Sequence, residues 1–154
     1  MAKSATGKAA KAQILTSSWQ AKIDETKYCR IGISRSTPRG QKGFRRYPKL
    51  NPGPWSRSIA DEREWAKRYE EEILAPLDPQ ATVDELTAMA DGRVPVLLCW
   101  EPPEPGDDYC HRGLVAAWLA RTLKMTVCEL GQESEGCGYG HPKLPRSLRR
   151  AGWT

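Results

Sequence analysis

VPVLLCW, residues 94–100, is an unbroken apolar run that starts just after Gly92 and stops at Glu101 and two prolines. The run suits a strand covered on both faces, the pattern of a central strand in a parallel sheet. Working outward, Tyr28–Ser34 (YCRIGIS) alternates and is rich enough in β-branched residues for a second strand. Gln13–Trp19 (QILTSSW) and Thr126–Leu130 (TVCEL) read as two more short strands. Helical patterns fall between them. Over residues 58–74, Ile59, Trp65, Tyr69 and Ile73 space out one face, with Asp61 and Glu62 near the start and Pro76 as the stop. In the next, Thr82 and Glu85 form a capping box, Val83, Leu86 and Met89 supply the face, and Gly92 closes it. Arg112–Leu123 is the third. Strands and helices in this order predict an α/β layer fold with a mainly parallel sheet.

The chain has 154 residues, 39% hydrophobic and 28% charged, with a mean hydropathy of −0.64. That length fits one domain with a single core. No stretch approaches the roughly 18 apolar residues of a spanning helix, so no membrane partner is expected. The opening MAKSATGKAAKAQ has lysines but no apolar stretch behind them, so a secretory signal is not expected either. The formal charge of +5 sits at the ends. Lys3, Lys8 and Lys11 face no acid within residues 1–13, nor do Lys143, Arg146, Arg149 and Arg150 within 141–154. Residues 14–140 are therefore slightly acidic. The organisation read from this is a basic arm (1–13), an α/β domain (14–140) and a basic tail (141–154). Five cysteines make an odd count, which argues for a reducing, cytoplasmic setting rather than a disulfide framework. Cys29, Cys99 and Cys128 lie in apolar runs and read as small buried hydrophobes, whereas Cys110 and Cys137 lie in polar loops.

Open α/β sheets bind ligands beyond the carboxyl ends of their strands. Two strands deliver polar clusters there. One ends in Ser34-Arg35-Ser36 and continues to Arg39; the other ends in Glu101, followed by a Pro-rich loop and then Cys110-His111-Arg112 opening a helix. A thiol at a helix N-terminus beside His and Arg is set up to ionise, and such an N-terminus also seats anions. Glu101, at the end of an apolar strand, suits a raised pKa and acid–base work. Arg35, Arg39 and Arg112 offer phosphate-directed forks. Each residue also has a structural reading: Cys110 as a small packing residue, His111 bonded to backbone, Arg112 paired with Asp107 or Asp108. The long Pro- and Arg-rich loop of residues 34–55 carries Phe44, Tyr47, Leu50 and Trp55 to pack on the core.

The motifs GISRSTPRG (32–40), YPKLNPGPW (47–55), Tyr69 followed by LDP (77–79), LLCWE (97–101), CHRGLVAAWL (110–119) and VCEL (127–130) together resemble the DUF488 family. The resemblance implies a compact, Rossmann-like three-layer α/β domain, a cytoplasmic setting and an origin in prokaryotes or their phages, but no established reaction. Its motif residues carry a candidate site onto Ser34, Arg35, Cys99, Glu101, Cys110, His111 and Arg112. The resulting expectation is an enzyme of hydrolase or transferase type that binds a small phosphorylated ligand, a nucleotide or a nucleic-acid end. In it Cys110, Glu101 and His111 are catalytic, Ser34, Arg35, Ser36, Arg39 and Arg112 bind the anion, and no cofactor or metal takes part. Neither a dinucleotide glycine fingerprint nor a CxxC is present for redox work. Two alternatives stand beside it. One is a non-enzymatic nucleic-acid-binding module using the basic ends and aromatic loop. The other is a zinc-stabilised scaffold drawing on Cys137, His141, Cys110 and His111.

Overall fold

A computed structural model describes residues 12–150; residues 1–11 of the expected arm (1–13) lie outside the described residues. Five strands, β1 (Leu15–Ser18), β2 (Tyr28–Gly32), β3 (Arg45–Arg46), β4 (Val94–Cys99) and β5 (Cys128–Glu129), form one all-parallel sheet in the order β3-β2-β4-β1-β5. The apolar run is the middle strand, paired on both edges and buried from Pro95 to Cys99. The helices are α1 (Glu62–Tyr69), which runs on as a π turn over Glu70–Leu74, α2 (Pro79–Ala90) and α3 (His111–Leu123). The expected α/β fold with a small parallel sheet is what the chain adopts.

Strand order explains where the layers lie. The connections β3→β4 and β4→β5 both move across the sheet in one direction, whereas β1→β2 and β2→β3 move in the other. Right-handed crossovers put the first pair on one face and the second pair on the opposite face. The helices accordingly share a single core with Ile14, Cys29, Ile31 and Leu97. The other face, with Leu15, Val96 and Leu98, is covered by Trp19, Ile23 and Phe44 from the two loop connections. The third layer is thus built of loop side chains rather than helices.

Local chemistry moves several boundaries. The first helix starts at Glu62, because the Asp61 carboxylate caps the Glu64 N–H. The second starts four residues before the expected position. Asp78 caps the Ala81 N–H with Pro79 in the first turn, while Thr82 is buried inside the helix and its hydroxyl donates to the Asp78 carbonyl. The long loop contains a strand the sequence reading does not include, β3. The tail starts later than expected: residues 141–145 are buried, and Leu144 joins the helix-side core. The expectation of unpaired cysteines is also corrected. Cys99 bonds Cys110 and Cys128 bonds Cys137, leaving Cys29 free and buried.

A fully buried ion pair joins these elements. Arg112, in the first turn of α3, donates from Nε to Glu129 Oε1 at 3.0 Å and from Nη2 to Oε2 at 2.7 Å. Thr16 of β1 donates its hydroxyl to the same carboxylate at 2.6 Å, and His141 Nε2 lies 3.3 Å from it. Burial alone would raise the Glu129 carboxyl, but bonds from His141 and Arg112 and the charge of Arg112 outweigh it and hold the group down at about 2. The surface pairing of Arg112 with Asp107 or Asp108 does not form; those acids hold Arg146 and Lys143.

Removing one member of a buried pair strands the other charge, whereas replacing both with apolar groups removes the penalty. Arg112→Met should therefore cost about 3–5 kcal/mol in urea unfolding. The Arg112→Met/Glu129→Leu double variant should recover a large part of that loss. Equal destabilisation of single and double variants would contradict this account of the pair.

Candidate functional site

A cavity of about 690 Å³ opens at the carboxyl ends of β2 and β4. Ser34, Arg35 and Ser36 line it from the segment after β2, and Cys99, Trp100 and Glu101 from the end of β4. Residues 107–111 bring the entry of α3 to the opposite wall, and Pro52, Ser56, Arg57 and Trp65 complete the lining. Of the residues expected from sequence, Ser34, Arg35, Ser36, Glu101, Cys110 and His111 thus face one space. Arg39 is exposed and not part of the lining. Arg112 is not part of it either. It has no solvent exposure, and besides Glu129 it donates to Cys99 Sγ at 3.2 Å and to the Glu101 carbonyl at 2.8 Å. It holds the rim and does not reach a ligand.

The local geometry assigns a job to each group. His111 Nε2 lies 2.7 Å from the Ile33 carbonyl oxygen, which only accepts, so Nε2 carries the proton. The Nδ1 lone pair is left facing Cys110 Sγ, 3.6 Å away. Burial, reinforced by the charge of Arg112, lowers the imidazole pKa to about 4 against the opposing Ile33 bond. The ring is therefore a neutral acceptor at physiological pH. Tyr69 and Trp65 surround it, their ring centres 5.4 and 6.3 Å away. Ser34 is committed: its hydroxyl accepts from the Trp19 indole at 3.0 Å and donates to the Ser36 carbonyl at 2.6 Å, fixing the turn that presents Arg35. Burial pushes the Glu101 carboxyl above its ordinary value and Asp108 adds to the rise, against Arg112 and Lys143. Its carboxyl holds a proton at higher pH than a surface glutamate does.

Cys110 is the residue preceding α3, and its sulfur is bonded to Cys99 in the cavity wall. Its backbone N–H donates to the Lys143 carbonyl. In this oxidised state Cys110 has no thiolate to offer. The two sulfurs and a His111 ring nitrogen lie within 4.8 Å of one another, and this is the metal-capable trio among the described residues once the bond is reduced. The zinc set proposed around Cys137 and His141 does not assemble. Cys137 is bonded to Cys128, and His141 accepts the Lys143 N–H at Nδ1 while Nε2 faces Glu129 and Thr16. Arg57, Trp65, Trp100 and Tyr109 are site residues that the sequence reading left out. Arg57 falls between the loop read over residues 34–55 and the helix read from residue 58, and Trp65 reads as one more apolar position on that helix.

A family model described as the active DUF488-N3 subclade, DUF488-N3a, matches residues 14–123. No curated protein sequence and no solved structure matches the chain.

The two buried histidines set an acid limit. Below their ordinary value of 6.5 the unfolded chain protonates both, while the folded chain keeps His111 neutral down to about 4 and His141 neutral below 6.5. The native state binds fewer protons across that window, so stability falls as pH drops, by on the order of 3 kcal/mol from His111 alone. Glu129 acts lower: its stabilisation is complete above 4.5 and is lost as pH falls toward about 2. Urea midpoints between about pH 7 and 4.5 should decline steeply for the wild type and less steeply for His111→Gln. A flat wild-type profile would contradict the neutral buried imidazole.

Proposed function

The chain belongs to the DUF488 family, and from that premise we propose that it is an enzyme of hydrolase or transferase type acting on a phosphorylated ligand, a nucleotide or a nucleic-acid end. The observation that carries this reading is the convergence of Glu101, the Cys110–His111 pair and the cations Arg35 and Arg57 on one cavity. The arginines hold the phosphate, since a guanidinium forks onto phosphate oxygens. Trp100, which is exposed, and Tyr109 offer ring faces to a base, with Trp65 packed on Tyr69 behind them. The description of the matched family model as active favours catalysis over simple binding.

The chemistry starts with reduction of the Cys99–Cys110 bond by a dithiol, which delivers two electrons and two protons. His111 Nδ1 then takes the Cys110 thiol proton. The thiolate attacks the electrophilic centre, forming a bond from sulfur and breaking the bond to the leaving group, which takes its proton from Glu101. Water or an acceptor hydroxyl, deprotonated by Glu101, displaces the sulfur, and the proton held on His111 Nδ1 returns to Cys110 to regenerate the thiol and the neutral imidazole. Arg112 keeps Glu101 and Cys99 in place without touching the ligand. The non-enzymatic alternative relies on basic ends, and two of the C-terminal cations, Lys143 and Arg146, are already paired with Asp108 and Asp107.

Turnover of a panel of nucleotides and 5′-phosphorylated oligonucleotides, followed by chromatography, tests this. The protein kept under a dithiol reductant should convert at least one of them. Glu101→Gln and Cys110→Ser should each lower kcat by about 10²-fold or more, and Arg57→Ala should act mainly on KM. Full activity without reductant, or in either catalytic variant, would overturn the assignment of roles. Absence of both turnover and binding across the panel would overturn the ligand class.

A further inference from the structure

From residue 26 to residue 60 the chain carries nine cations and no acid, a contrast hidden when charge is averaged over the whole domain. Seven of the nine fall after β2, and among the described residues only Lys49 of those seven forms an ion pair, with Glu85. The other six are Arg35, Arg39, Lys42, Arg45, Arg46 and Arg57, all exposed. Four of them are placed relative to one another, and Arg39 and Lys42 are exposed in the loop that leads into β3. Arg35 and Arg57 line the cavity, Arg46 reaches the Arg35 carbonyl at 3.4 Å, and Arg45 precedes it on the edge strand β3. Cationic surface therefore leaves the cavity mouth and runs onto the sheet edge. Across the mouth, Trp100 exposes 42% of its surface beside Glu101. One phosphate in the cavity needs only Arg35 and Arg57, which leaves four further cations without a counter-charge.

We infer that the ligand is a single-stranded nucleic acid whose terminal nucleotide enters the cavity while its following phosphates lie along Arg46, Arg39, Lys42 and Arg45. This rests on the phosphorylated-ligand reading above and names its substrate class. A row of cations leading to aromatic faces is what single strands bind, through phosphate neutralisation and base stacking. An acidic peptide would use the cations but not the rings.

Fluorescence anisotropy on the reduced full-length protein separates the two levels. The probes are a labelled 12-nucleotide single strand, a labelled mononucleotide and a labelled polyglutamate of equal charge. The variant Arg39→Glu/Lys42→Glu/Arg46→Glu alters exposed side chains only and spares Arg35 and Arg57. The 12-mer should bind the wild type at least about 10-fold more tightly than the mononucleotide, with an affinity that falls steeply with salt. The triple variant should lose about 10-fold or more for the 12-mer, show a shallower salt slope, and bind the mononucleotide as the wild type does. Equal affinity for mononucleotide and 12-mer would overturn the strand inference and leave the cavity reading standing. Polyglutamate bound as tightly as the 12-mer, or a triple variant indistinguishable from the wild type, would also overturn it. Binding of neither nucleotide nor strand would remove the underlying reading itself.

Discussion

The buried pair of Arg112 and Glu129 is the contact on which the placement of the site depends. Its guanidinium spends its donors in three directions: onto the carboxylate at the end of β5, onto the sulfur of Cys99 at the end of β4, and onto the carbonyl of Glu101 just beyond. The start of α3, the last residue of the central strand and the second residue of the following loop are thereby held together. Thr16 and His141 saturate the same carboxylate from β1 and from the C-terminal segment. Such a pair does little for net stability when fully satisfied, because desolvation offsets most of the attraction. What it supplies is position: Cys110 and His111 precede Arg112 directly, so fixing Arg112 in the core fixes them at the cavity wall.

Close packing reinforces that placement. The C-terminal segment crosses α3 at Gly113, where a side-chain Cβ would fall within 2.5 Å of the Lys143 carbonyl carbon. Only glycine admits the crossing. The crossing brings Lys143 to Asp108 and Arg146 to Asp107, neutralising two acids of the loop after β4. The electrostatic character of the cavity then comes from two sources. Exposed arginines approach from the β2 side, and a partly buried carboxyl with a raised proton affinity approaches from the β4 side.

Much of this was legible in the sequence, for identifiable reasons. An apolar run bounded by Gly92 and Pro102 has the pattern of a covered strand, and the placement of polar residues at its end follows from sheet geometry. Seven of the nine site residues named from sequence, Cys99 among them, line the cavity. The failures have physical causes. Thr82 and Glu85 make a valid capping box, but Asp78 followed by Pro79 caps four residues earlier and extends the helix. HPKLP looks like a basic tail because Lys143 is charged and prolines abound, yet Asp108 pairs that lysine and lets the segment sink into the core. An odd cysteine count does not forbid two disulfides and one buried thiol. Arg112 looked like an anion ligand because nothing local reveals a partner seventeen residues on.

We propose that a nucleotide-bearing ligand enters the cavity between the ends of β2 and β4. The indole N–H resonances of the tryptophans report on it directly, because Trp65 and Trp100 line the cavity whereas Trp118 is buried in the core on α3. In a two-dimensional proton–nitrogen titration of the reduced protein with a 5′-phosphorylated dinucleotide, the Trp65 and Trp100 signals should move in a saturable way while that of Trp118 stays in place. Saturable shifts elsewhere with Trp65 and Trp100 unmoved, or no shifts at all, would contradict the claim.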